Sequence, residues 1–306
     1  MKKVLWAVDA FAGEDSFHKK VLAALKAFDS SGDLEIEPVM LLLRDEIMAV
    51  DSVMKFEDYR SSAEKALESF LKKLKHPGLK AGRVIVSDRH SKRHAIRELS
   101  GLAQQEKFDM IAMATHARKG LGRFILGSFA ETLLLVSTVP VFIVNPKSEF
   151  KKVKTILFPT DLTNASRNAF DQVIAYAQKQ NAKVILFHQI PNPVEPLIGA
   201  GMNLLGGSYV PVRRFFDEEK ALKTKDAEEW SKAAKEKKVK VEIHIELRTA
   251  NIADNILKVA KKYQVSLISM ASQVGEVESV LLGSITRQVI RAADCPVWAF
   301  HCKRMG

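Results

Sequence analysis

A loop rich in basic residues lies between an apolar run and a helical pattern in the first half of the chain. It covers residues 114–128 and reads ATHARKGLGRFILGS. Its last two residues, Gly127 and Ser128, begin the predicted helix, where free backbone N–H groups and the positive end of the helix dipole attract an anion. Four side chains can donate to phosphate oxygens: His116, Arg118, Lys119 and Arg123. The loop therefore has the chemistry of a phosphate-binding site.

A carboxylate ends the first predicted strand of each half. Asp9 follows KKVLWAV, and Asp161 follows KTILFPT. Ligands of open parallel sheets bind beyond the carboxyl ends of the strands, where the strand order reverses. Both acids are therefore candidate ligand contacts. Aspartate is also common as a turn or cap residue after a strand, and this alternative stays open for both.

The chain repeats itself. Residues 127–144, GSFAETLLLVSTVPVFIV, match residues 283–300, GSITRQVIRAADCPVWAF, in length and in the order of features. Three residues recur at a single offset: Gly127, Ser128 and Pro140 return as Gly283, Ser284 and Pro296. This self-similarity indicates a duplication, and we place the two domains at residues 1–149 and 150–306.

Strand-like and helix-like apolar periods alternate within each half. Continuous Val, Ile and Leu runs separated by helices indicate parallel strands that are covered on both faces. Strands are predicted at 3–8, 36–43, 82–87, 109–114, 140–144, 154–158, 182–188, 240–246, 265–270 and 296–301. Helices are predicted at 16–29, 57–75, 92–106, 128–137, 165–180, 216–237, 251–263 and 284–293. The fold class is therefore α/β, with two doubly wound open parallel sheets of five strands each.

Composition limits the class of protein. The chain has 306 residues, of which 47% are hydrophobic, enough for two domains with a core each. No run approaches the roughly 18 to 20 apolar residues that span a bilayer, and Asp9 interrupts the first apolar run too early for a signal peptide. The two cysteines, Cys295 and Cys302, fit a reducing compartment. We expect a soluble cytoplasmic protein without a membrane partner.

The net charge of +11 does not point to nucleic acid. Most of the excess lies in the second half, in segments such as EKKVKVE that are typical of solvated helix ends. No aromatic residues stand between these charges to stack on bases. Nucleic acid is therefore not expected as a partner.

These motifs resemble those of the universal stress protein family, and the whole chain is similar to a tandem member with two such domains. Nucleotide-binding members carry G-x2-G-x9-G-[S/T] between the fourth strand and the fourth helix, and an Asp at the end of the first strand. The matching positions are Ala114, Ala117, Gly127 and Ser128, with Asp9 as the acid. The spacing is intact, but two of the three glycines are alanines.

The second half matches the family at Asp161 and at Gly283-Ser284. Its loop, ASQVGEVESVLLGS, is one residue shorter, has Ala271 and Val274 at the glycine positions, and is acidic where the first loop is basic. Alanine in left-handed geometry costs roughly 1–2 kcal/mol, whereas micromolar binding corresponds to about 8 kcal/mol. We therefore expect weakened binding in the first half, which is the favoured site if only one half binds.

The resemblance implies an adenine nucleotide alpha hydrolase-like fold and an adenine nucleotide such as ATP, with the loop around its phosphates; whether a metal accompanies it stays open. The expected contacts are Asp9, Met113, Ala114, Thr115, His116, Ala117, Arg118, Gly127, Ser128 and Phe129 in the first half and Asp161, Gly283 and Ser284 in the second. The resemblance also implies that the last strands of the halves pair antiparallel, so that one chain forms a pseudo-dimer. A further homodimer of the whole chain stays open.

Two other functions remain as alternatives. Residues 191–216 are too rich in Pro and Gly for a regular element and too apolar for an idle linker. They either form a long connection on their own domain or, with the interdomain groove, hold a protein partner or an apolar small molecule without a nucleotide. A slow ATPase is the second alternative, but no general base can be named, and no catalytic residue is assigned.

The histidines and cysteines carry no metal motif. His188, His244, His301, Cys295 and Cys302 match no zinc spacing and are expected to be ordinary packed or partly exposed side chains. Four further histidines are expected at the surface: His18, His76, His90 and His94.

Overall fold

The described residues form ten strands and eight helices in a computed structural model of the chain. The structure describes residues 3–9, 15–29, 31–43, 56–88, 91–115, 128–190, 212–247, 251–274 and 283–303. Every predicted strand and helix is present, and each predicted end lies within about four residues of the observed one. The predicted alternation of strands and helices is confirmed.

Each repeat contributes five strands. The first repeat consists of β1 (Lys3–Ala7), α1 (Asp15–Phe28), β2 (Glu35–Leu43), α2 (Phe56–Lys72), β3 (Arg83–Ser87), α3 (Lys92–Gln105), β4 (Met110–Ala114), α4 (Ser128–Val136) and β5 (Val141–Val144). The second consists of β6 (Thr155–Pro159), α5 (Asn164–Gln180), β7 (Lys183–Gln189), α6 (Val212–Glu236), β8 (Val241–Glu246), α7 (Ile252–Lys262), β9 (Leu267–Val274), α8 (Ser284–Ala292) and β10 (Val297–Lys303).

The chain divides into two compact units. One unit comprises Met1–Val153 and Ser266–Gly306, and the other comprises Lys154–Val265. Within the first unit the strand order is β3-β2-β1-β4-β5-β10-β9, and within the second it is β6-β7-β8. The first unit therefore includes the last two strands of the second sequence repeat. The boundary between residues 149 and 150 stays a prediction about the repeats.

Neighbouring strands pair parallel within each repeat. Strands β4, β5 and β6 are buried at every position, as expected for parallel strands covered on both faces. The predicted α/β fold class, with helices crossing between parallel strands, is confirmed. No helix in the described ranges is long and apolar enough to cross a membrane.

The last strands of the two repeats pair antiparallel, as predicted. Phe142 of β5 lies opposite Trp298 of β10, with the pairs Val141–Ala299 and Ile143–Val297 on either side. Because β5 and β10 pair with each other, neither of these two strands is left as an exposed, aggregation-prone edge.

Polar contacts reinforce this junction within the first unit. The Asn145 side chain is buried and donates from Nδ2 to the carbonyl oxygens of Ile290 at 3.0 Å and Ala293 at 2.7 Å. Glu131 of α4 forms ion pairs with two arginines of α8, at 3.1 Å from Arg287 Nε and 3.4 Å from the Arg291 guanidinium. The junction between the repeats is therefore specified by hydrogen bonds and charge as well as by the apolar strands.

Candidate functional site

Strands β1 and β4 lie side by side and run in the same direction. Their register pairs Val4 with Met110 and Trp6 with Ala112, so their carboxyl ends meet at one edge of the sheet. Strand β1 pairs with β2 on its other side, and β4 pairs with β5. The strand order therefore reverses between β1 and β4, which is the position where open α/β sheets bind ligands.

Asp9 lies just beyond β1 at this edge and is exposed. The ladder between β1 and β2 extends one residue past the strand, because the Val8 N–H donates to the Val39 carbonyl at 2.9 Å. The Asp9 carbonyl oxygen lies 2.9 Å from Nε2 of His18 on α1. The backbone of Asp9 is thus anchored on the protein at an exposed position.

The end of β4 supplies the neighbouring residues of the predicted site. Met113, Ala114 and Thr115 are all buried. The Thr115 N–H donates to the Val144 carbonyl at 2.9 Å and so continues the ladder to β5. These three residues therefore lie at the carboxyl end of β4, next to the end of β1 where Asp9 follows.

Helix α4 begins at Ser128, as predicted, with Ser128 exposed and Phe129 half-buried. An acid in the first turn, Glu131, would oppose an anion at this terminus, but its carboxylate is paired with Arg287 and Arg291. The remaining predicted contacts of this loop lie outside the described residues: His116, Ala117, Arg118 and Gly127. The described part of α4 is thus electrostatically compatible with an anion at its start.

Asp161 stabilises the turn between β6 and α5 in the second repeat. Its Oδ1 accepts hydrogen bonds from Thr163 N at 3.0 Å, Thr163 Oγ1 at 2.8 Å and Ser166 Oγ at 2.8 Å. Partial desolvation would raise the pKa of the Asp161 carboxyl, but these hydrogen bonds outweigh it and hold the pKa below its usual value. The turn interpretation of this aspartate is thus realised before α5, whose N-cap residue is Thr163. Its contact with a ligand stays a prediction.

Gly283 and Ser284 begin α8 and are exposed. Gly283 is the N-cap residue of α8 and has no side chain that could cap the helix. A Cβ added to it would meet only Thr286 Oγ1, at 3.9 Å, among the described neighbours. Crowding by those neighbours therefore does not account for a glycine at this position.

One of the four histidines predicted at the surface, His18, is buried. His18 was expected at the surface, but it is only 4% exposed and packs among aromatic side chains. The sequence carried a signal for this burial, because His18 continues the i, i+3, i+4, i+7 stripe of Val21, Leu22 and Leu25. His76 contacts the Gly78 N–H through Nδ1 at 3.2 Å, His94 is exposed, and His90 lies outside the described residues.

His188 of β7 is 7% exposed. Its Nδ1 lies 2.9 Å from the Thr160 carbonyl oxygen, so Nδ1 must carry the donated hydrogen. Burial, and to a lesser extent the positive charge of Lys223, lowers the pKa of His188, although the hydrogen bond to Thr160 opposes the shift. The imidazole is therefore favoured in its neutral form, with the hydrogen on Nδ1.

The described residues contain no group of three or more His, Cys, Asp or Glu side chains placed to hold a metal ion. Cys295 is buried, and burial raises the pKa of its thiol to about 12. A protonated, buried thiol is neither a nucleophile nor a metal ligand. This agrees with the prediction of an ordinary packed side chain.

Comparisons with known proteins agree with this architecture. The model of the universal stress protein family matches residues 1–145 and 152–301. A universal stress protein of Methanocaldococcus jannaschii is 33% identical over 150 residues, which are 47% of this chain and 79% of that protein.

Two solved structures match nearly the whole chain. A universal stress protein from Archaeoglobus fulgidus DSM 4304 has a TM-score of 0.66 and 21% identity, covering 99% of this chain and 98% of its own. A functionally unknown protein from Pseudomonas aeruginosa PAO1 has a TM-score of 0.56 and 13% identity, covering 99% and 93%. At these identities the two structures show a shared fold.

Proposed function

The chain belongs to the universal stress protein family, and we propose that it is a cytoplasmic stress-response protein that binds ATP or another adenine nucleotide in its first repeat. One observation carries the proposal. Asp9 and Thr115 lie at the carboxyl ends of adjacent parallel strands, at the point where the strand order reverses. The helix that begins at Ser128 follows the same strand β4 in the chain.

Each part of the site has a task in this proposal. The Asp9 carboxylate would accept hydrogen bonds from the ribose or adenine end of the nucleotide. The loop of residues 116–127 and the first N–H groups of α4 would hold the phosphates. Arg118 would add paired, charge-assisted hydrogen bonds to phosphate oxygens. The nucleotide supplies the negative charge that this combination recognises.

The backbone at Ala114 supports binding despite the missing glycines. Ala114 is the last residue of β4 and is not among the described residues with positive φ. An L-amino acid in this extended conformation carries no left-handed strain. The expected cost of roughly 1–2 kcal/mol for left-handed geometry therefore does not apply to Ala114, and only Ala117 could still carry it.

Two observations favour the first repeat over the second. Asp161 already accepts three hydrogen bonds on Oδ1, two from Thr163 before α5 and one from Ser166 in its first turn. Glu276 and Glu278 stand in the second loop, where negative charge would repel a polyphosphate. The described neighbours leave Gly283 uncrowded, which keeps a weaker second site within the proposal.

Released ligand and ATP affinity together test the proposal. Protein purified under mild conditions is denatured, and the released small molecules are identified by mass spectrometry. The intact chain is then titrated with ATP beside the Gly127→Val/Arg118→Ala double variant. We expect saturable binding by the wild type and strongly weakened binding by the variant. Negligible binding by both would overturn the nucleotide assignment and favour an interaction protein.

No second function is proposed for the segment 191–216. Residues 191–211 lie outside the described residues, and α6 already begins at Val212. Catalysis is likewise not proposed. A slow ATPase would appear as phosphate release that is lost in the Gly127→Val/Arg118→Ala variant.

A further inference from the structure

We propose that His18 is a positioning residue for Asp9: its imidazole fixes the turn after β1 and thereby places the Asp9 carboxylate at the nucleotide site. The inference rests on the proposed function for the identity of the ligand. The geometry of the turn is independent of that function. Nothing in the family motif that identifies the site includes a residue of α1.

The hydrogen bond between His18 and Asp9 has only one possible direction. The Asp9 carbonyl oxygen, 2.9 Å from Nε2, can only accept, so Nε2 must carry the hydrogen. The last ladder bond of β1 with β2 is made by the Val8 N–H. The His18 bond therefore holds the peptide group just beyond that ladder, at the exposed residue Asp9.

The core fixes the orientation of the His18 ring. The ring lies edge-on between Trp6 of β1 and Phe70 of α2, with centroid distances of 5.9 Å and 5.2 Å and interplanar angles of 66° and 67°. At 4% exposure, the ring has little room to change rotamer. A donor held by packing in this way can define the position of a neighbouring site group more accurately than a surface side chain can.

The second repeat shows that packing alone does not require a histidine there. By the offset that relates Asp9 to Asp161 and Trp6 to Phe158, position 18 corresponds to Phe170. Phe170 fills the equivalent place between Phe158 and Trp230, with centroid distances of 5.4 Å and 5.1 Å. A ring without an N–H group therefore satisfies the same aromatic cluster. What distinguishes His18 is the hydrogen bond to Asp9.

In the second repeat a histidine also forms a hydrogen bond to the turn that follows the first strand, β6. His188 donates from Nδ1 to the Thr160 carbonyl, one residue before Asp161, at 2.9 Å. This histidine comes from β7, at the position that Met40 occupies in β2 by strand register. Two different elements thus supply an imidazole to the same turn in the two repeats. This independent recurrence indicates that anchoring the turn matters beyond filling space.

The chain itself supplies matched variants for the test. His18→Phe keeps the ring, as Phe170 does, and removes the donor. His18→Gln keeps an amide N–H near the position of Nε2. We expect His18→Phe to weaken ATP binding by the intact chain about tenfold, the usual effect of one hydrogen bond, and His18→Gln to restore most of it.

Coupling to Asp9 separates positioning from a general structural effect. If His18 acts through Asp9, His18→Phe will not weaken ATP binding further in an Asp9→Ala background. Equal losses in both backgrounds, or unchanged ATP affinity of His18→Phe, would overturn the proposal. Urea midpoints measured on the same variants show whether a loss of affinity reflects unfolding.

Nuclear magnetic resonance tests the hydrogen bond between His18 and Asp9 in the absence of ATP. In nuclear magnetic resonance spectra of the intact chain, the His18 ring should carry a hydrogen on Nε2. The carbonyl ¹³C resonance of Asp9 should shift in His18→Phe and return toward its wild-type position in His18→Gln. An Nδ1–H tautomer or an unchanged Asp9 carbonyl would contradict the anchor. If the wild type bound no ATP while these signals appeared as expected, the proposed function would fail and the anchored turn would remain.

Discussion

Phe142 and Trp298 lie directly opposite each other in the antiparallel pair of β5 and β10. They occupy the same position in the two repeats, in PVFIV and CPVWAF, so the pairing is symmetric about these two residues. Both side chains are fully buried, and Phe28 of α1 packs edge-on against them at centroid distances of 5.1 Å and 5.4 Å. This pair is the centre of the junction between the repeats.

Trp298→Ala should reduce the free energy of unfolding by about 3–5 kcal/mol, because it removes a large buried ring and leaves a cavity. Trp298→Phe copies Phe142 and should cost much less. Urea denaturation of both variants measures the difference. Equal destabilisation by the two substitutions would contradict the assignment of this pair to the packed centre of the junction.

Glu131 and Arg287 also occupy equivalent positions in the two repeats. Their ion pair is possible only because the repeats have diverged, since two identical halves would bring like charges together. Glu131→Gln should lower the free energy of unfolding by about 1 kcal/mol or less, because the pair is partly exposed. The loss should shrink in about 1 M salt. A double-mutant cycle with Arg287→Gln that shows no coupling would contradict this role.

His188 should make stability depend on pH. Its pKa is lowered in the folded protein by burial, so the unfolded chain binds more protons below the ordinary histidine pKa of about 6.5. The stability contribution is therefore present above that pH and is lost as the pH falls through the folded pKa. His188→Met, which copies Met40, should flatten the dependence of unfolding free energy on pH between about 5 and 7. An unchanged slope would show that other groups cause it.

Asp161 should stabilise the turn that leads into α5. Asp161→Ala removes the acceptor for Thr163 and Ser166 and should cost about 1 kcal/mol, the usual net contribution of a hydrogen bond, whereas Asp161→Asn should retain most of the stability. Because the hydrogen bonds hold its pKa below the usual value, the wild-type contribution is lost as the pH falls through that lowered pKa. Thermal or urea unfolding measures both effects. Equal stability of Asp161→Ala and the wild type would contradict this role in the turn.

The strands and helices could be predicted because buried parallel strands leave continuous apolar runs and the duplication shows each pattern twice. The pairing of β5 with β10 was expected from the resemblance to the universal stress protein family, and the apolar last strand of each repeat agrees with it. The division into compact units could not be predicted, because a repeat boundary in the sequence does not show which strands share most contacts. Residues 266–306 belong to the second repeat but to the first unit.

The two aspartates show what sequence reasoning missed at the site. Asp9 and Asp161 have the same place after a strand, yet only Asp161 is followed by hydroxyl residues two and five positions later, Thr163 and Ser166. Those hydroxyls bond its carboxylate, whereas Phe11 and Glu14 stand at the corresponding positions after Asp9. The role of Asp161 in the turn could thus be predicted from the sequence. The role of His18 could not, because its partner is a backbone carbonyl.

The most direct test of nucleotide binding by the first repeat is equilibrium dialysis of labelled ATP against the intact wild type and the Asp9→Ala and Asp161→Ala variants. The account predicts saturable binding by the wild type, clearly weaker binding by Asp9→Ala and nearly wild-type binding by Asp161→Ala. No saturable binding by the wild type, or a loss confined to Asp161→Ala, would contradict it.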